Sequence, residues 1–382
     1  MNRIISFGIV MLFAVPAIAA RTGDHAKVGK FFDGTAQVNA EDSCFDPDKY
    51  NINDINRILM TAAADGDMKN VRCALAAGAN VNASLNEFTE KGYTALMLAV
   101  SNEHPDIVSL LIDNGADVDA ADSAGKTALA HATKEGSLEL SKLLVNNGAG
   151  VNKEDYYGNT ALMYAAYEGF AGIASLLLDN GADVNADNEA GSTALIYAAR
   201  QDSIDITRLL IDSGADLDKK NNRGNTALIY AASKGYYATA GLLINSGANV
   251  SAGNRHEKTA LIFTAEHGHI DIAKLLINNG ANVNVGDDFG KTALIYASEK
   301  GFVKTVGFLI DNGANVNARG RAGKTALIEA SLNDRYEPVR LLIASNASVN
   351  IRDNLGRTAL TCAVLKGYSP IVRLLKEAGG KI

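Results

Sequence analysis

The sequence predicts an all-α solenoid of helix-turn-helix units joined by short β-hairpin-like loops. Three observations predict it. The tripeptide Thr-Ala-Leu recurs nine times, beginning at Thr94, Thr127, Thr160, Thr193, Thr226, Thr259, Thr292, Thr325 and Thr358, and every spacing is 33 residues. A helical apolar pattern such as Ile206, Leu209 and Leu210 follows in the same phase. Units close on a segment of the type Asn-Gly-Ala-Asp-Val-Asn, as at Asn180 to Asn185. Unrelated segments do not stay in phase over so many copies. A fixed period of this length marks a repeat architecture in which each unit buries its apolar face only against its neighbours.

Each piece of the unit has a physical task. The Thr hydroxyl suits a helix N-cap, where it accepts from an otherwise unpaired amide of the first turn. Small residues follow, as in Ala165-Ala166 and Ala231-Ala232, and let neighbouring first helices approach closely. A Gly nine residues after the Thr in six copies, such as Gly169 and Gly235, ends that helix in a left-handed conformation. The second helix carries paired residues such as Leu143-Leu144 or Leu275-Leu276 on one face. Another Gly, such as Gly181, ends it, and the Val of Asp-Val-Asn is expected to point inward. Gly two residues before the Thr, in eight copies with Glu257 the exception, permits a tight hairpin turn.

The ends of the chain depart from this unit. Met1 to Ala20 has a basic start at Arg3, an apolar run from Ile4 to Val15, Pro16, and the small-x-small Ala17-Ile18-Ala19, so residues 1–19 read as a secretory signal peptide. A buried N-terminal helix is the other reading. The run is too short for a stable bilayer anchor, and no later stretch is apolar enough to cross a membrane. Residues 20–52 form an N-terminal extension outside the repeat. Residues 53–91 hold a degenerate capping repeat and a loop: Gly66 and Gly78 keep the spacing of Gly169 and Gly181, and Arg57 falls where the Thr is due. Residues 92–382 are the nine repeats. The last is a C-terminal cap carrying Lys366, Arg373, Lys376 and Glu377.

At these residues the chain resembles the ankyrin-repeat family, whose unit has a β-turn, two antiparallel helices and a Thr-Pro-Leu-His-x-Ala motif. The resemblance covers about residues 53–382, and Thr-Ala-Leu-Ile-Tyr-Ala-Ala is similar to a variant of bacterial ankyrin proteins. It departs at two places. Ala161 and Ala194 stand at the Pro, and Met163, Ile196, Ile229 and Ile262 stand at the His, so the family's His bonding network is expected to be absent.

Other chemistry is weakly marked. Gly-Lys-Thr at 125–127, 290–292 and 323–325 lacks the earlier Gly of a phosphate-cradling loop, with Ala120, Val285 and Ala318 at that place. Asp117-Val118-Asp119 with Asp122 lacks the Gly and closing Glu of a calcium loop. His267 and His269 are two ligands where a metal site needs three or four. No catalytic set, metal or cofactor is expected. Cys44 and Cys73 allow a disulfide stapling the extension to the first repeat in an oxidising compartment, or both stay reduced. Cys362 sits at a repeat position that carries an aromatic ring elsewhere and reads as a packing residue.

Partners of ankyrin-like stacks bind hairpin tips and the exposed side of the first helices. Mapped by phase, this implies a partner-binding set here. Four residues after the Thr stand Tyr164, Tyr197, Tyr230, Phe263 and Tyr296, a ladder of five rings. Those rings either face the partner or pack between repeats as spacers. Tyr167, Arg200, Lys234 and His267 lie seven or eight residues after the Thr, and Tyr156, Tyr157, Arg223, His256 and Phe289 lie at the tips. A net charge of −7 argues against nucleic acid and anionic membrane as partners.

The expected function is non-enzymatic: a protein–protein interaction module, monomeric and not inserted in a membrane, of the bacterial periplasm or secreted space. It would inhibit or protect an exported protein. The alternative is an effector secreted into a host cell that binds a host protein. A hydrolase is a third reading, opposed by the lack of a nucleophile–base set.

Overall fold

The computed structural model describes Cys44, residues 49–85 and residues 92–382. The chain divides into two compact units, 1–45 and 46–382. In the first, only Cys44 is among the described residues; the leader 1–19 and the extension up to residue 48, Cys44 aside, lie outside them.

Among the described residues the second unit holds ten successive helix pairs. They are α1 (Ile52–Asp65) with α2 (Met68–Ala76), α3 (Ala95–Ser101) with α4 (Pro105–Asp113), α5 (Ala128–Glu135) with α6 (Leu138–Asn146), and α7 (Ala161–Glu168) with α8 (Ala171–Asp179). Next come α9 (Ala194–Arg200) with α10 (Ile204–Asp212), α11 (Ala227–Lys234) with α12 (Tyr237–Asn245), and α13 (Ala260–His267) with α14 (Ile270–Asn278). The row ends with α15 (Ala293–Lys300) with α16 (Val303–Asp311), α17 (Ala326–Leu332) with α18 (Tyr336–Ala344), and α19 (Ala359–Lys366) with α20 (Ser369–Glu377). First helices pack on first helices of the adjacent pairs, and second helices on second helices. Strands β1 (Ser84–Leu85) and β2 (Tyr93–Thr94) pair antiparallel before α3, and isolated antiparallel bridges such as Glu154 with Thr160 mark later hairpins.

The Thr column caps the first helices as expected. Thr226 Oγ1 accepts from the Ile229 amide at 3.3 Å, and Thr358 from the Thr361 amide at 3.2 Å. The first pair starts differently. Its helix begins at Ile52, where Asn51 forms a reciprocal capping box with Asp54, so Arg57 lies inside a helix and caps nothing.

The core is two columns of apolar side chains. Leu two residues after each Thr, from Leu96 to Leu360, is at most 2% exposed, and the inward Leu of each second helix, from Leu111 to Leu375, is fully buried. Each such leucine contributes about 2 kcal/mol by leaving water. The position five after the Thr is Ala or Thr and fully buried, which sets how closely first helices approach. One expectation is corrected: the Val of Asp-Val-Asn is half-buried in most repeats, and only Val283 is buried. The buried residue of that loop is more often the preceding Ala, as at Ala149, Ala248, Ala314 and Ala347. The loop folds over Ala because the Asn after Val stitches it to the next repeat. Asn152 Nδ2 donates to the Gly181 carbonyl at 3.0 Å, and Asn152 Oδ1 accepts from the Asp183 amide at 2.7 Å. Asn185, Asn284 and Asn350 repeat the pattern.

Backbone geometry follows phase even where the residue does not. Among the described residues, five non-glycine residues have positive φ, Glu103, Asp202, Glu257, Asp334 and Asn346, and each occupies a position held by Gly in other repeats. A side chain in this region is strained by about 1–2 kcal/mol unless a local bond compensates. Asp202 has such a bond, accepting from Thr239 Oγ1 at 2.6 Å. Glu257 has none among the described residues. Glu257→Gly is therefore expected to raise stability by about 1 kcal/mol, read as a higher urea midpoint. A lowered midpoint contradicts this account of the turn.

Candidate functional site

The hairpins are built on one side chain. Five residues before the Thr stand Asp122, Asp155, Asn188, Asn221, Asn254, Asp287 and Asp353. Their Oδ1 atoms each accept two backbone amides of their own hairpin: Tyr157 and Asn159 on Asp155 at 2.8 Å, Arg223 and Asn225 on Asn221 at 2.9 and 3.1 Å, Phe289 and Lys291 on Asp287 at 2.9 Å. The turn is thereby closed and its two tip residues project outward. Successive tips are also joined. Tyr156 N donates to the Ala124 carbonyl at 3.0 Å, Asn222 N to Ala190 at 2.8 Å, and Arg321 N to Phe289 at 2.7 Å. The tips thus form a hydrogen-bonded row.

The second side-chain atom of the same residue reaches the ladder nine residues later. Asp155 Oδ2 accepts from the Tyr164 hydroxyl at 2.5 Å, and Asp287 Oδ2 from Tyr296 at 2.6 Å. Asn188 and Asn221 donate through Nδ2 to the hydroxyls of Tyr197 and Tyr230 at 2.8 and 2.9 Å. His131 Nε2 meets Asp122 Oδ2 at 2.9 Å, and Arg357 clasps Asp353 Oδ2 at 2.9 and 2.7 Å. A bond thus ties hairpin to first helix in five repeats, while Met163, Ile196, Ile229 and Ile262, at the family's His position, are buried.

The rings of the ladder differ in burial. Tyr296 is only 7% exposed and is withdrawn from the partner-binding set: it packs between repeats with its hydroxyl bound. Tyr164, Tyr197, Tyr230 and Phe263 are half-buried and keep part of each ring at the surface. Tyr167 is also half-buried, set edge-on to Tyr197 at 5.8 Å between centroids. Arg200 is exposed and lies over Tyr197 and Tyr230, 5.9 and 5.4 Å from the ring centres. Lys234 and Arg223 are exposed. His267 is exposed and stacked between Phe263 and His269, and exposed His256 lies 3.5 Å from the Asp288 carboxylate. Tyr156, Tyr157 and Phe289 stand out at the tips, 67, 64 and 60% exposed.

Farther along, the face carries ion pairs. Lys258 meets Glu266 at 2.9 Å and lies over Tyr296. Lys291 is bound to Glu299 and lies 3.5 Å from Glu329, which also takes Lys324 at 3.3 Å. Burial would lower the Lys291 ammonium, but the two glutamates outweigh it and raise it above its ordinary value. The lysines of two Gly-Lys-Thr segments are therefore held by carboxylates. Asp117 and Asp119 are likewise turned to backbone amides, Asp117 to that of Asp119 and Asp119 to that of Gly150. Among the described residues no group of three or more His, Cys, Asp or Glu is placed to hold a metal, and no helix there is long and apolar enough to cross a membrane. Cys362 is a buried free thiol, consistent with packing, and burial pushes it up.

Two features escaped the sequence reading. Leu355 is 75% exposed and shares the tip phase of Tyr157 and Phe289. The Asp/Asn column was visible as a 33-residue recurrence, but its bond to the ladder needs the hairpin folded back on the helix.

Burial alone would raise the Asp155 carboxyl; the Tyr164 hydroxyl and the Asn159 and Tyr157 contacts outweigh it and hold it below the ordinary carboxylate value. Stability from this group is present above the unfolded value of about 4 and is lost as pH falls through the lower folded value. Tyr164→Phe is expected to shift the Asp155 titration upward and to cost about 1 kcal/mol at neutral pH, checked by carbon-detected NMR titration and urea unfolding. A carboxyl that titrates unchanged contradicts the assigned bond.

A family model described as ankyrin repeats (3 copies) matches the chain at residues 17–122, 117–188, 186–254, 250–320 and 318–382.

Proposed function

The chain belongs to the ankyrin-repeat family, a scaffold for protein–protein interaction, and from that premise we propose that it is a non-enzymatic binding module acting on an exported protein as inhibitor or protector. Its partner would lie across the hairpin tips and the exposed side of the first helices. One observation carries the reading: the tips present Tyr156, Tyr157, Phe289 and Leu355 to solvent at 60–75% exposure, on turns held rigid by buried side chains. Large apolar groups on a fixed row are what a binding surface offers, because little motion is lost when they are covered.

The proposed setting is the periplasm or secreted space. It rests on the leader pattern of residues 1–19, and a Cys44–Cys73 disulfide and a monomeric state belong to the same proposal. An affinity capture from envelope extract tests the reading, comparing the mature chain with a variant carrying Tyr157→Ala, Arg223→Ala and Phe289→Ala. One protein retained in stoichiometric amount by the parent and lost by the variant is the expected result. Each substitution removes an exposed side chain, so circular dichroism is expected to stay unchanged. A partner held equally by both chains contradicts the placement.

A further inference from the structure

The ladder differs along its length because of one atom in the hairpin column. With aspartate there, at Asp155 and Asp287, the tyrosine hydroxyl donates to the carboxylate and its proton is used. With asparagine the direction reverses. The amide orientation is set by the backbone: Asn188 Oδ1 accepts from the Ala190 and Ser192 amides, so Nδ2 faces Tyr197 and also reaches Asn159 Oδ1. Asn221 is fixed in the same way by Arg223 and Asn225. The hydroxyls of Tyr197 and Tyr230 therefore accept, and neither proton has an acceptor among the described residues. These are the two rings that Arg200 covers.

Charge separates the same stretch from its neighbours. Lys258, Lys291 and Lys324 are neutralised by Glu266, Glu299 and Glu329. Arg200, Arg223, Lys234 and Arg255 are exposed and form no ion pair among the described residues. Arg200 thus lies over two rings whose hydroxyl protons find no acceptor among the described residues, beside further exposed cations that form no ion pair there. Charge-assisted bonds to an incoming acceptor are the strong ones.

We propose that Tyr197, Arg200 and Tyr230 form a carboxylate-binding subsite that takes an Asp or Glu side chain from an acidic segment of the partner, with Arg223, Lys234 and Arg255 supplying the surrounding positive field. The inference rests on the reading of this face as a protein-binding surface and adds the chemistry of what it binds.

The test is a random peptide library displayed on phage and panned on the mature chain. A selected peptide is then made with a fluorescent label and titrated by anisotropy against two variants. Asn188→Asp with Asn221→Asp keeps the hairpin acceptor, as Asp155 and Asp287 do in their own repeats, and turns both hydroxyls inward. Tyr197→Phe with Tyr230→Phe removes the protons without changing charge. The expected result is a pool rich in Asp and Glu, with each variant binding the labelled peptide roughly tenfold more weakly or worse while its circular dichroism shows the fold retained. Peptides that bind the face, losing affinity with Tyr157→Ala and Phe289→Ala, but carry no acidic residue, or that ignore both variants, overturn the subsite and leave the face standing. A library that yields no peptide dependent on the face overturns both.

Discussion

A single side-chain oxygen at the base of seven hairpins, from Asp122, Asp155, Asn188, Asn221, Asn254, Asp287 and Asp353, holds two backbone amides, and the shape of those turns depends on it. Oδ1 of Asp155 accepts from Tyr157 and Asn159, and Oδ1 of Asn221 from Arg223 and Asn225. With this oxygen, the turn closes, the tip residues point away from the stack, and the remaining side-chain atom reaches the ring of the first helix. Turn, tip and ladder are thus one bonded assembly in the repeats of Asp122, Asp155, Asn188, Asn221 and Asp287. The Tyr156-to-Ala124 type of backbone bond then carries the arrangement to the next repeat.

This division leaves the stack free to vary where it meets a partner. Leucine columns and small residues between first helices supply cohesion, so nothing in the core depends on whether a tip is Tyr157, Arg223 or Phe289. The hairpin column itself tolerates one exchange, aspartate for asparagine, since either provides Oδ1. That exchange keeps the turn closed and changes which way a tyrosine hydroxyl points its proton. The proton direction of a half-buried surface ring is in this way set by a buried residue beneath it.

Most of the fold was legible because its determinants are single residue types repeated in phase: the capping Thr, the Leu pairs and the glycines. The left-handed positions show how far phase outweighs identity, since Glu103, Asp202 and Asp334 adopt the conformation of the Gly they replace. What was not legible needed pairs of positions. Burial of Tyr296 against partial exposure of Tyr230 follows from neighbours such as Lys258 and Lys291, which cover one ring and not the other. The first helix could not be placed by counting back to Arg57, because it starts at a different local signal, the Asn51 capping box. The inward Val was misjudged because hydropathy alone did not reveal the Asn stitch beside it.

The chain contains its own control for the central claim. In the eighth Thr-Ala-Leu repeat the hairpin residue is Gly320, which has no side-chain oxygen. Native-state hydrogen exchange, followed by NMR at single amides, compares Ala322 and Lys324 with Arg223 and Asn225 and with Phe289 and Lys291, which hold the same places in hairpins that have the oxygen. The account predicts slow exchange at Arg223, Asn225, Phe289 and Lys291 and markedly faster exchange at Ala322 and Lys324. Equal protection in the three hairpins would contradict it, and would mean that something other than this oxygen holds the face in place.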